Sequence, residues 1–181
     1  MPLKNRGFTL IEILVAVLVL AIGLLGLAKL QTFALHSNHS ANLRTQATLL
    51  SYDITDRMRA NRATYLDASG NYIAPPAGTT AKKCEWDGSA VDTCTATEMA
   101  QYDLAHWRTV LADNLPGGTG TVCLDSTPND GTDTDNDGSI DASEYACDGN
   151  GSIYAVKIWW TELDEDSGNP VIKRFVTTFQ P

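Results

Sequence analysis

Between residues 133 and 144 the chain reads Asp133, Thr134, Asp135, Asn136, Asp137, Gly138, Ser139, Ile140, Asp141, Ala142, Ser143, Glu144. Oxygen-bearing side chains recur at positions 1, 3, 5, 7, 9 and 12 of this dodecapeptide, with glycine at position 6 and an apolar residue at position 8. That is the ligand order of a twelve-residue calcium loop. Asp133, Asp135 and Asp137 would offer carboxylates, Ser139 its backbone carbonyl, Asp141 a contact through water, and Glu144 a bidentate closure. Gly138 sits where such a loop needs its sharp turn. The opposing reading is an acidic, solvated loop without an ion. Charge weighs against it, because five carboxylates fall within these twelve residues and no Lys or Arg lies between Arg108 and Lys157. Gathering them without a cation is repulsive, so Ca2+ is the expected cofactor.

Other reactive residue types carry less. His36 and His39 lie three apart, but no third ligand is placed near them, and a solvated helix face explains them better than a metal. His106 falls inside a helical pattern and needs no special role. No nucleophile elbow and no glycine-rich phosphate loop occurs, so an enzyme is not expected. The four cysteines, Cys84, Cys94, Cys123 and Cys147, are even in number and admit three pairings. The sequential one, Cys84 with Cys94 and Cys123 with Cys147, closes two loops rich in Gly, Asp, Ser or Thr. No CxxC pair exists, which disfavours zinc.

The first thirty residues carry a different chemistry. A basic leader (Met1, Pro2, Leu3, Lys4, Asn5, Arg6) precedes Gly7, Phe8, Thr9, Leu10, Ile11 and Glu12. Residues 13–28 then hold no polar or charged side chain, and Glu12 is the sole charge between Phe8 and Ala28. About 20 apolar helical residues cross the hydrocarbon of a bilayer, and Lys4 and Arg6 favour a cytoplasmic N-terminus. A secretory signal peptide, cleaved near Gly26, Leu27 and Ala28, or a plain anchor would have the same apolar run. Neither explains Glu12, since a lone carboxylate in such a helix is costly unless a cation meets it.

The sextet ending in Glu12, followed by an apolar helix, resembles the processing signal of type IV pilins and pseudopilins. The resemblance implies cleavage by a prepilin peptidase after Gly7 and N-methylation of Phe8. It also implies that Glu12 pairs with the free amine of a neighbouring subunit, which supplies the missing cation. Many major pilins carry a kinking proline near the end of the apolar run, where this chain has Lys29 and Leu30. With AIGLLGLA at 21–28, YDITDRMRAN at 52–61 and LPGG at 115–118, the chain resembles minor pilins of the PilV type. The minor pseudopilins of type II secretion share the first part.

These residues must be positioned by a long helix and a small sheet. No proline occurs between Pro2 and Pro75, and Leu43, Ala47, Leu50, Ile54 and Met58 form one apolar stripe. Asp53 and Arg57 add an i, i+4 pair. The pattern predicts a helix from Phe8 to about Asn61, roughly 80 Å long. Thr95 and Glu98 form a capping box opening a second helix. Its apolar face is Leu104, Trp107, Leu111 and Leu115, and Pro116, Gly117 and Gly118 end it. Residues 119–124 read as a short strand. Tyr154, Val156, Ile158 and Trp160 alternate with Ala155, Lys157 and Trp159 as a half-buried strand, and the adjacent pair Trp159 and Trp160 reads as one core and one surface aromatic rather than a binding platform. Residues 164–170 read as a turn and 171–179 as a second strand of a hairpin.

The fold class expected is therefore α+β, a long N-terminal α-helix packed on a small antiparallel sheet. The expected division is a leader (1–7), a transmembrane and assembly segment (8–30), an amphipathic helical segment (31–62) and a disulfide-bonded head (63–181). A long insertion at 125–151 holds the calcium loop, which lacks the preceding helix of an EF-hand. Its role should be bracing, with an affinity of about 10⁻⁴ to 10⁻³ M.

Net charge is −9 but uneven: residues 1–62 carry seven Lys or Arg against three Asp or Glu, and residues 63–181 carry six against nineteen. An acidic outer part is unsuited to a phosphate backbone, so no nucleic-acid partner is expected. The resemblance implies a minor pilin that helps prime pilus assembly, at the tip, and supports adhesion or twitching motility. Its partners would be other minor and major pilins and the prepilin peptidase. Its location would be the inner membrane with a periplasmic head, then the extracellular pilus. The alternatives are a type II secretion pseudopilin and a membrane-anchored periplasmic calcium-binding protein.

Overall fold

The structure is a computed structural model in which residues 9–62, 72, 82–84, 93–164 and 167–180 are described. Helix α1 spans Leu10–Ala60 without interruption, as expected of a segment free of proline and rich in Leu and Ala. The Thr9 carbonyl accepts the first hydrogen bonds, from the N–H groups of Glu12 and Ile13. The chain divides into two compact units, Met1–Ala41 and Asn42–Pro181.

In the second unit, the remaining turns of α1 bury Leu43, Ala47, Ile54 and Met58, with Leu50 partly buried against the same core. Ser51 and Thr55 are buried on this face too. Their hydroxyls donate to the Thr48 and Ser51 carbonyls, both at 2.7 Å, so neither is left unpaired. Helix α2, Ala96–Asn114, starts at Thr95 in a complete capping box: Thr95 Oγ1 accepts from Glu98 N–H at 3.2 Å, and Glu98 accepts from Thr95 N–H at 2.7 Å. Ala100, Leu104, Trp107 and Leu111 form its buried face. The Trp107 ring is fully buried, and its indole N–H donates to the Leu50 carbonyl at 2.8 Å, joining α2 to α1.

Three strands follow: β1 (Thr119–Leu124), β2 (Tyr154–Leu163) and β3 (Pro170–Phe179). They form an antiparallel sheet in the order β1-β2-β3, with Val122 opposite Val156 and Tyr154 opposite Phe179. β3 begins at Pro170, one residue before the alternation in sequence, which suits a proline at a strand's first position. One sheet face, with Val122, Tyr154, Val156, Ile158 and Trp160, packs on the helices. Gly120 marks a point of close approach. A Cβ there would lie 2.7 Å from both Leu111 Cδ1 and Trp107 Cη2.

The half-buried reading of β2 is corrected. Ala155, Lys157 and Trp159 are buried as deeply as their alternates, and Trp159 and Trp160 are both core residues. The insertion after β1 folds over the second face and removes it from water. There, Tyr145 stacks on Trp159 with ring centroids 5.3 Å apart, and the Trp159 indole donates to the Gly131 carbonyl at 3.2 Å. Arg174 of β3 donates to the carbonyls of Gly131 (2.6 Å) and Asn129 (2.9 Å). The cysteines are paired as Cys84–Cys94 and Cys123–Cys147, with Cα atoms 5.9 and 6.0 Å apart. The second bridge ties the end of the insertion to β1.

Candidate functional site

The first candidate site is the start of α1. Gly7 and Phe8, the expected processing residues, lie outside the described residues. Glu12 lies in the first turn of α1 and is exposed, a place where the partial positive charge of unpaired N–H groups favours a carboxylate. Among the described residues, none forms an ion pair with it. Every large apolar side chain from Leu10 to Leu30 is exposed by more than half, Leu10 by 82% and Leu25 by 72%. The helix is long and apolar enough to cross a membrane, and an apolar surface of this extent needs lipid or other apolar helices around it.

The second is the acidic loop. Side-chain oxygens of Asp133, Asp135 and Asp137 all lie within 4.8 Å of one another. Gly138 takes φ +85° and Asn136 φ +58°, the left-handed backbone that lets the chain turn here. Gly138 N–H donates to Asp133 Oδ2 at 3.0 Å, Asp137 N–H to Asp135 Oδ1 at 3.1 Å, and Ser139 N–H to Asp137 Oδ1 at 2.8 Å. Asp141 Oδ1 instead accepts from Ser143 N–H and hydroxyl, at 2.7 and 2.6 Å. Glu144 closes the loop from its far end. Its Oε1 accepts from Thr134 N–H (2.5 Å) and hydroxyl (2.8 Å), and its Oε2 from Asp141 N–H (3.3 Å). Ile140 and Glu144 are buried, so the loop is anchored at two points.

Electrostatics differ from one carboxylate to the next. The hydrogen bonds from Thr134 hold Glu144 below its usual range. The Asp137 N–H pulls Asp135 down, but desolvation and the charges of Asp137 and Glu144 outweigh it and leave Asp135 raised. The Oδ1 of Asp133 is buried and, among the described residues, accepts no hydrogen bond. A buried, unpartnered carboxylate oxygen beside two further aspartates fits a donor set for a hard divalent cation.

Sequence reasoning missed two polar clusters. Asp103 is buried between Arg57 (3.2 Å) and the Tyr72 hydroxyl (2.9 Å), and Asn61 bridges Tyr72 Oη to the Ala96 carbonyl. Burial pushes the Tyr72 hydroxyl up; desolvation would lower Arg57, but its bonds to Asp103 and Asp53 raise it. The other cluster surrounds Lys157 Nζ, which is wholly buried with Asp125 Oδ2 and Asp130 Oδ1 each at 2.5 Å. Its one signal in the sequence was a lysine on a strand otherwise made of core residues.

Comparison with protein families matches two models on adjoining stretches of the chain. The prokaryotic N-terminal methylation motif covers residues 2–28, and the type IV pilin Tt1218 family covers residues 29–105. No curated protein and no solved structure matches the chain. A methylation motif at the start of an exposed apolar helix, continuous with a pilin-type match and followed by a small antiparallel sheet, supports a type IV pilin family for this chain.

Proposed function

We propose that this chain is a minor pilin of a Gram-negative type IV pilus. Made as a prepilin, it is cut after Gly7, methylated at Phe8, held in the inner membrane, and assembled with other minor and major pilins. Within the filament it helps prime assembly at the tip and supports adhesion or twitching motility. The observation that carries the reading is the lone Glu12 on a helix whose other side chains from Leu10 to Ala28 are apolar and exposed. Such a carboxylate is explained by a cation on another subunit, and cleavage at Gly7 would create one. The lack of a proline at Lys29 and Leu30 supports a minor rather than a major subunit. The test has two arms. Mass spectrometry of the mature N-terminus should find N-methyl-Phe8, and a chain that keeps Met1 or starts at Lys29 refutes pilin processing. A deletion strain should lose surface pili or twitching while protein secretion continues; the reverse phenotype assigns the chain to type II secretion instead.

The acidic loop supports a second element of the same reading, a calcium ion that braces the insertion. Asp133, Asp135, Asp137 and Glu144 would hold it through carboxylates, Ser139 through its carbonyl and Asp141 through water. The ion would offset part of the cluster's negative charge and fix the cover over Trp159. Full-length protein in detergent should bind Ca2+ by calorimetry, and its melting temperature should rise in a few millimolar Ca2+ by the equivalent of about 1–2 kcal/mol. Asp133→Ala should abolish both effects. No heat of binding and no shift in the wild type dismisses the ion.

A further inference from the structure

We propose that Lys157 and Asp125 become joined by an amide bond within the folded chain, with Asp130 as the catalytic group. Four oxygens surround Lys157 Nζ: Asp125 Oδ2 and Asp130 Oδ1 at 2.5 Å, and the Tyr145 and Ala146 carbonyls at 3.0 and 3.2 Å. An ammonium has only three N–H groups. Asp130, Tyr145 and Ala146 accept all three as hydrogen bonds. Asp125 Oδ2 touches the nitrogen yet, among the described residues, accepts no hydrogen bond from it or from any other group. The amine and this carboxyl are therefore an ion pair in contact that no N–H of the ammonium serves as a hydrogen bond.

The surroundings match what the condensation requires. Side chains of Lys157 and Asp125 are fully buried, and a dry interior is a costly place for opposite charges, whereas an amide carries none. The other carboxyl oxygen, Asp125 Oδ1, accepts the Thr127 N–H at 3.0 Å, while the single proton of the Thr127 hydroxyl has a nearer acceptor in Asp130 Oδ2, at 2.8 Å against 3.4 Å to Asp125 Oδ1. That N–H would hold the charge that develops on Oδ1 as the carbon becomes tetrahedral. Asp130 is 41% exposed, so it can take a proton from Nζ and give water a way out.

The step balances without any further reagent. Asp130 accepts a proton from the Lys157 ammonium, and the freed Nζ lone pair attacks Asp125 Cγ to form the C–N bond. The Cγ–Oδ2 bond then breaks, and Oδ2 leaves as water carrying two of the three ammonium protons, one of them delivered by Asp130. The third stays on the amide nitrogen. Holding the partners in contact lowers the barrier that two free solutes face, since effective molarities of about 10⁵ to 10⁸ M are reached in such geometries. The product would lock the insertion to β2 beside the Cys123–Cys147 bridge.

The absence of Lys and Arg between Arg108 and Lys157, with Lys173 the next site, makes the test direct. Full-length protein is purified in detergent, reduced, denatured, digested with trypsin and analysed by mass spectrometry. A cross-linked chain gives a single peptide covering 109–173, uncut after Lys157 and lighter by one water. Separate peptides 109–157 and 158–173 at full mass overturn the proposal and leave a structural ion pair. Dehydration at Asp130-Gly131, Asp137-Gly138 or Asp148-Gly149 would remove the same mass, but would leave Lys157 cleavable and so also counts against it. Asp125→Ala should restore cleavage, and Asp130→Asn should leave at least half of the chains unlinked. If either variant misfolds, the wild-type digest still decides.

Discussion

Helix α1 holds two sets of apolar side chains in opposite conditions. From Leu10 to Leu30 its large apolar side chains are all exposed, whereas from Leu43 to Met58 one stripe is buried to 5% exposure or less apart from the partly buried Leu50. Secondary structure does not distinguish them, because both lie on one unbroken helix. What differs is the source of the covering surface. The later stripe is covered by α2 and the sheet of the same chain, so its burial is complete on folding. The earlier segment has no cover among the described residues, and it becomes stable only in lipid or against other apolar helices. The presence of apolar side chains on a helix therefore does not tell a core element from an assembly element. The distribution around the helix does: one face in the second region, every face in the first.

If that division holds, substitutions in the first region should affect assembly without affecting folding, and substitutions in the second should do the opposite. The largest effect is expected at Glu12. Glu12→Ala should be cleaved after Gly7 as usual, yet its incorporation into filaments should fall on the order of tenfold or more, since an opposing buried amine would be left unpaired. Immunoblots of sheared filaments against membrane fractions measure this. Normal incorporation would remove the pairing role. In the second region, Trp107→Ala should leave processing intact but cost about 3–5 kcal/mol through a cavity and the lost bond to the Leu50 carbonyl. A fall of roughly 10 °C or more in melting temperature should follow. Gly120→Ala comes next, at about 1–3 kcal/mol, because its methyl must displace Leu111 and Trp107.

Much of this division can be read from the residues themselves, and the failures have a common cause. The buried stripe, the capping box and the hairpin are local periodicities, so Leu43, Ile54, Thr95 and Tyr154 announce their roles within a few neighbours. Glu12 is legible for the opposite reason, as the one exception in an otherwise uniform run. The full burial of Trp159 and Lys157 is not legible in the sequence, because their cover is a stretch with no periodicity. Residues 129–146 cross the second face of β2 through backbone carbonyls and a single Tyr145 ring. Carbonyls leave no mark on side-chain patterning. The same holds for Asp103 and Arg57, whose partners come from three separate segments of the chain.

The smallest effect tests the folded unit at its most exposed support. Thr95 and Glu98 cap α2 reciprocally, and Thr95→Ala should cost about 1 kcal/mol. The Thr95 N–H, then the Thr95 hydroxyl, hold the Glu98 carboxyl below its ordinary value of 4.5. A group depressed in the folded state contributes stability that is fully present above its unfolded value and is lost as pH falls through the folded one. Glu98 should therefore contribute above about pH 5 and progressively less below pH 4.5. Thr95→Ala keeps the backbone N–H, so it should shift the melting curve at neutral pH without removing the acid dependence. Glu98→Gln removes the titrating group, and its melting temperature relative to wild type should converge as the pH is lowered. Both variants leave residues 1–41 untouched, so filament incorporation should be unchanged at neutral pH. A loss of incorporation in either would mean that the two regions of α1 are not independent after all.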